Sequence, residues 1–168
     1  MFLNPQQAIK EGWISGVDPG NVQPNAIDVT ADRIFQMNED NVFEISKRDK
    51  MHRNRSEYDN PNIWRMMPGV YDFLSNVYVD VPEGVVGWLV TRSSFNRNGM
   101  FVQSGLYDSG FKGNIGGMVY NLGGETRMEP GTPIAQFVFA KSDSAGVYAG
   151  GYNTVQGELP LQMKEDNE

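Results

Sequence analysis

Short alternations of apolar and polar positions dominate the chain from Asn25 onward. Ala26-Ile27-Asp28-Val29-Thr30 is strand-like, and Asn41-Val42-Phe43-Glu44-Ile45 alternates. Val77, Val79 and Val81 fall on one face of a strand whose other face carries Tyr78 and Asp80, because successive side chains of a strand point to opposite sides. Runs 85–91, 100–103, 114–121 and 134–140 complete the set, separated by Gly, Pro, Asn and Asp. Many short strands at close spacing predict an all-β sandwich, jelly roll or barrel in a single domain over 1–168. One short helix precedes them. Asn4 suits its N-cap, Pro5 its first position, Gln7 a capping box and Gly12 its stop. Two stretches lack periodicity: Lys47 to Pro68 reads as a long loop or insertion, and Gln162 to Glu168 as a polar tail that frays.

Composition narrows the possible chemistry. The 168 residues hold 19 glycines and nine prolines, spread along the chain as many turns would require rather than gathered in one linker. The net charge of −7 argues against a polynucleotide partner, since phosphate backbones need a basic surface. A single nucleotide remains open to it, because a few basic groups and backbone N–H donors can converge locally. There is no cysteine, which excludes disulfides, thiolate chemistry and the zinc site of the metal-dependent deaminases. The one histidine, His52, lies in a charged stretch and reads as a solvated loop residue rather than part of a catalytic triad. The longest nearly apolar run, Gly84 to Val90, is too short to span a bilayer, and Met1-Phe2-Leu3 runs straight into Asn4-Pro5 without a leader pattern. No membrane association is expected, and the expected compartment is the cytoplasm.

Three clusters carry candidate chemistry. In Trp88-Leu89-Val90-Thr91-Arg92-Ser93-Ser94-Phe95-Asn96-Arg97-Asn98-Gly99, hydroxyls, backbone N–H groups and two guanidinium forks suit an oligophosphate. A polar strand end that caps its neighbours fits the same pattern equally well. Gly105 to Gly113 contains Asp108 before a tight turn and Phe111 three residues later, an arrangement able to orient a water or a sugar hydroxyl; by itself Asp-Ser-Gly is a common turn. Pro130 to Phe139 is a turn at Pro-Gly followed by a strand with one inward-capable amide, Gln136.

In this order and spacing the clusters resemble the dUTPase and dCTP deaminase superfamily. Val86 to Gly99 is similar to the "VGWL…RSSLARLG" segment of bacterial dCTP deaminases. Gly105 to Gly113 resembles the "GLIDSDYQG" motif of trimeric dUTPases, and Pro130 to Phe139 the shared "PG..IAQ..F" motif. Gln23-Pro24-Asn25-Ala26-Ile27-Asp28 and Tyr152 to Gly157 resemble segments of the deaminase branch, and the likeness is weakest over Lys47 to Pro68.

The resemblance implies a distorted jelly roll of the dUTPase type and a homotrimer with active sites between subunits. The implied substrate is a pyrimidine deoxynucleoside triphosphate. Arg92, Ser93, Ser94, Arg97 and Gln136 would hold phosphates, and Arg97 would act in catalysis beside Asp108, whose counterpart in dUTPases activates the attacking water. Gln103, Ser104 and Gly105 would read the base, with Phe111 lining the site. Tyr152 and Gln156 would belong to a C-terminal flap over 141–161. Mg²⁺ would arrive on the triphosphate rather than in a protein cage.

Two departures shape the functional expectation. Met118 stands where the deaminases carry their proton-shuttling glutamate, and a thioether has no proton to move. The stretch between Gly99 and Asp108 is about two residues shorter than in either branch. The expected activity is therefore dUTP pyrophosphatase, dUTP to dUMP and pyrophosphate. The alternatives are a dCTP deaminase and a non-catalytic nucleotide-binding trimer.

Overall fold

The structure, a computed structural model, describes residues 1–47 and 49–160. The opening elements are helix α1 (Pro5–Lys10) and strands β1 (Ile14–Ser15), β2 (Ile27–Ala31) and β3 (Arg33–Met37). The short strands β4 (Glu44–Ile45), β5 (Lys50–Met51), β6 (Arg55–Glu57) and β7 (Trp64–Met66) follow. The long strand β8 (Gly69–Asp80) leads to β9 (Val85–Thr91), the single turn α2 (Ser93–Asn96) and β10 (Met100–Gln103). The last strands are β11 (Lys112–Asn121), β12 (Thr126–Met128) and β13 (Thr132–Lys141).

The larger sheet runs β10-β11-β8-β3-β6, with β1 against the far end of β8; the smaller runs β2-β13-β9. All of these pairings are antiparallel. The main core lies between the two sheets, where Phe73, Val79 and Val119 of the larger meet Ile27, Val29, Phe137 and Phe139 of the smaller. Val77, Val79 and Val81 are all buried there, as the alternation predicts. Gly131, with φ of 79°, occupies the left-handed position of the turn closed by Thr132 N donating to Glu129 O at 3.2 Å, and so aims β13 into the smaller sheet.

β8 is buried on both faces at its middle, from Tyr71 to Ser75. Tyr71 and Phe73 face the main core, while Leu74 joins Phe35 in a second, smaller apolar cluster on the outer face, covered by Leu159. Two local expectations are corrected. The segment 47–68 is not one long loop: it carries β6, which extends the larger sheet, and β7, whose Trp64 and Met66 are buried in the main core. Gln7 does not close a capping box; its amide reaches forward to Glu11, while Asn4 Oδ1 accepts from Gln6 N at 2.9 Å. Beyond β13 the chain returns over the outer face, with Tyr148 N donating to Ser109 O, Thr154 N to Lys112 O, and Gly157 N to Asn114 Oδ1. Gln162 to Glu168, expected to fray, lies outside the described residues.

Candidate functional site

The candidate residues gather at two separate places on one chain. The first is where β9 ends. Thr91 Oγ1 accepts from Val102 N at 2.8 Å and donates to Val102 O at 2.9 Å, tying the end of β9 to β10. Past it the chain makes the single turn α2, with Ser93 and Ser94 exposed at its start and Arg97 exposed at its end. The Arg97 side chain has no hydrogen-bond or ion-pair partner among the described residues. Arg92 is more constrained: Nη1 donates to Pro133 O at 3.0 Å and Nη2 lies 3.3 Å from Asp28 Oδ2.

Asp28 organises this place. Its register partner across β2 and β13 is Gln136, whose Nε2 donates to Asp28 Oδ1 at 2.9 Å, while Gln23 Nε2 donates to Oδ2 at 3.1 Å. The carboxylate is 3% exposed, so its charge is matched by a guanidinium and two amides rather than by water. Arg92, Ser93 and Gln136 line a concavity of about 280 Å³ around it.

The second place is a cavity of about 540 Å³ on the outer face of the larger sheet. Gly105, Phe111, Met118 and Tyr152 line it, as do Arg55 and Asp72. Asp72 lies directly opposite Met118 across β8 and β11, so the two side chains stand on one face of the sheet. Arg55 Nε donates to Asp72 Oδ2 at 2.9 Å in a nearly buried ion pair. Burial pushes the Asp72 carboxyl up to about 6 even though Arg55 pulls the other way. Tyr107 forms another wall; its Oη donates to Gly116 O and accepts from Gly116 N, and burial raises its hydroxyl well above the usual range.

Asp108 is not among the residues that line the cavity; it follows Tyr107, which does, on a firmly held turn. Its neighbour Tyr107 exchanges both backbone hydrogen bonds with Gly87, Ser109 Oγ donates to Val85 O, and Phe111 N donates to Asp108 O at 2.9 Å. The Asp108 side chain itself is exposed. Gln103 is exposed at the end of β10, opposite Met118, and Ser104 Oγ donates to Gly105 O. Tyr152 receives Lys50 over its ring at 5.6 Å, whereas Gln156 is exposed and does not line the cavity. The cavity and the Asp28 concavity share no lining residue.

Sequence reasoning missed several participants. Asp28 was legible only as part of a motif, without a role. Asp72 carried a usable signal, a lone charge within the apolar run Tyr71-Asp72-Phe73-Leu74. His52 lies in the link between β5 and β6, as expected of a loop residue, but it is half-buried and walls the cavity rather than standing free in solvent. Among the described residues no three His, Cys, Asp or Glu side chains converge as a metal cage, and no helix is long and apolar enough to cross a membrane.

Two antiparallel sheets packed around one core define a jelly roll. The family model for dCTP deaminase-like proteins matches residues 4–142, and the chain belongs to that family. A probable deoxyuridine 5'-triphosphate nucleotidohydrolase of Aeropyrum pernix is 31% identical, covering 94% of this chain and 99% of its own. A dCTP deaminase of Ignicoccus hospitalis is 26% identical, with 89% and 90% covered. The crystal structure of 2'-deoxycytidine 5'-triphosphate deaminase from Agrobacterium tumefaciens matches 84% of this chain with a TM-score of 0.65 at 15% identity. This chain spans about half of that protein's length, 48%, so the likeness is one of fold.

Proposed function

We propose that the protein is a homotrimeric dUTP pyrophosphatase, converting dUTP and water to dUMP and pyrophosphate. The observation that supports the reading is that Met118 lines the cavity: in the sequence resemblance it falls where the deaminase branch has a glutamate, and its thioether can neither donate nor accept the proton that release of ammonia requires. Hydrolysis of the α–β phosphate bond needs no group at that place. The names of the curated relatives from Aeropyrum pernix and Halobacterium salinarum support the same activity.

In this reading Asp108 accepts a proton from the water that attacks the α-phosphorus, and pyrophosphate leaves. The exposed Arg97 guanidinium and the Ser93 and Ser94 hydroxyls meet the phosphate oxygens, where charge grows in the transition state. Arg92 and Gln136, braced by Asp28, complete that wall. Gly105 and Phe111 line the side that takes the base and sugar, and Gln103, Ser104 and the flap residues Tyr152 and Gln156 act at its edge. Mg²⁺ would arrive on the triphosphate and would supply charge neutralisation on its oxygens. The absence of any shared lining residue between the two places supports a site completed between subunits. So do the exposed apolar side chains Phe2, Val90, Leu106 and Leu122, which a trimer would cover.

The test is a deoxynucleotide panel assayed separately for pyrophosphate and ammonia. Pyrophosphate from dUTP without ammonia from dCTP is expected; ammonia from dCTP with no pyrophosphate from dUTP would overturn the reading.

A further inference from the structure

The cavity floor has a polar feature that the hydrolysis does not use. Gly116 and Gly117 carry no side chains, and none fits: a Cβ would come within 2.7 Å of Phe73 O at Gly116 and 2.5 Å of Gln103 O at Gly117. Leu74, Asp72 and Met118 therefore rise around an open patch of β8 and β11. Leu74 and Met118 offer apolar surface to the face of a flat ring. Asp72 alone among the lining residues offers a carboxyl group, and Arg55 holds its Oδ2, which fixes the direction in which it presents itself.

We propose that Asp72, positioned by Arg55, reads the exocyclic group of the pyrimidine and so admits dCTP to this site alongside dUTP. The inference rests on the reading that this cavity receives the base. An ionised carboxylate accepts from the amine of cytosine and repels the carbonyl oxygen of uracil. The protonated carboxyl donates to that carbonyl instead. The two ligands share size and shape, so this one contact discriminates between them where packing cannot. With Met118 in place of the glutamate, admitted dCTP is cleaved to dCMP and pyrophosphate with its amine intact.

The protonation of Asp72 then sets the preference between the two nucleotides. Burial places that change near pH 6, within reach of ordinary buffers. The other titratable or charged groups facing the cavity are Arg55 and His52 from the β5 to β6 stretch, Tyr107 at the wall, and Tyr148 and Tyr152 from the returning tail. Histidine is the side-chain type that serves as a switch near neutral pH, so His52 needs its own control.

The measurement is calorimetric binding of the non-hydrolysable α,β-imido analogues of dUTP and dCTP between pH 5 and 7.5. In the wild type, the ratio of the dUTP-analogue Kd to the dCTP-analogue Kd is expected to rise about tenfold or more with pH, the scale of one charge-assisted hydrogen bond exchanged between ligands. Asp72→Asn should flatten that dependence, and His52→Gln should keep it. If both analogues bind and the wild-type ratio does not move, or if His52→Gln abolishes the change, Asp72 is not the reader, while the assignment of the cavity stands. If the cytosine analogue does not bind at any pH, admission of dCTP is refuted. If neither analogue binds, the assignment of the cavity falls with the inference. The wild-type and His52→Gln arms decide the matter even if Asp72→Asn fails to fold.

Discussion

Arg92 is held by Asp28, Nη2 to Oδ2 at 3.3 Å, although 63 residues of chain separate the end of β9 from the first strand of the smaller sheet. The contact braces an arginine beside Ser93 from beneath, since Asp28 is buried and Arg92 about one-third exposed. Asp28→Ala would leave Gln23, Gln136 and Arg92 without their shared acceptor. We expect a loss of roughly 1–3 kcal/mol in stability, the cost of buried donors left unpaired, together with a raised KM for dUTP. Urea unfolding and initial-rate kinetics on the same preparation check both halves. Unchanged stability would show that water replaces the carboxylate.

Asp108 is exposed on a turn whose neighbours are pinned, so its substitution should leave the fold intact. Asp108→Asn is expected to lower kcat by on the order of 10²–10⁴, the usual contribution of a general base, with nucleotide affinity nearly unchanged. Turnover equal to wild type would return Asp108 to a turn residue and nothing more.

The two places on one chain give a direct test of assembly. Light scattering should find a particle near three times 18.8 kDa. Asp108→Asn and Arg97→Ala subunits, each inactive alone, should recover activity when unfolded and refolded together, because a mixed trimer contains sites built from the intact half of each. No recovery in mixed particles of trimer mass would mean that both residues serve the same site from one chain.

Asp72 should also leave a mark on stability. Its folded-state value of about 6 lies above the ordinary 3.8, so the native state holds the proton more tightly than the unfolded chain does. Its favourable contribution is fully present below about pH 4 and is lost as pH rises through 6, a change of about 3 kcal/mol by pH 7. Asp72→Asn removes the titration. The difference in unfolding free energy, wild type minus variant, should therefore fall by roughly that amount between pH 4 and 7. The contact with Arg55 is already contained in that value, since it exists only where Asp72 is ionised. A flat difference would show that Asp72 is solvated.

The observed strands Val85–Thr91 and Met100–Gln103 coincide with the expected ones residue for residue. Several others escaped notice, two groups of them for identifiable reasons. β5 to β7 are two or three residues long, too short for any period to register, and of the expected strand 41–45 only β4 forms. The first half of β8 is apolar on both faces, because a second cluster and the returning tail cover its outer side, and so it shows no alternation. For the site, motif order made Arg92, Ser93, Ser94, Asp108 and Gln136 legible as candidates.

By itself the sequence determined the all-β class, the helix at the start and the exclusion of cysteine chemistry. Each follows from residue identity or from spacing along a single strand. Only the tertiary structure decided that Asp28 braces Arg92, that Asp72 stands opposite Met118 with Arg55 beside it, and that the candidate residues divide between two places. Those relationships join strands far apart in the chain. They depend on register and on which face of a sheet is covered, and both are set only once the two sheets have paired and packed together.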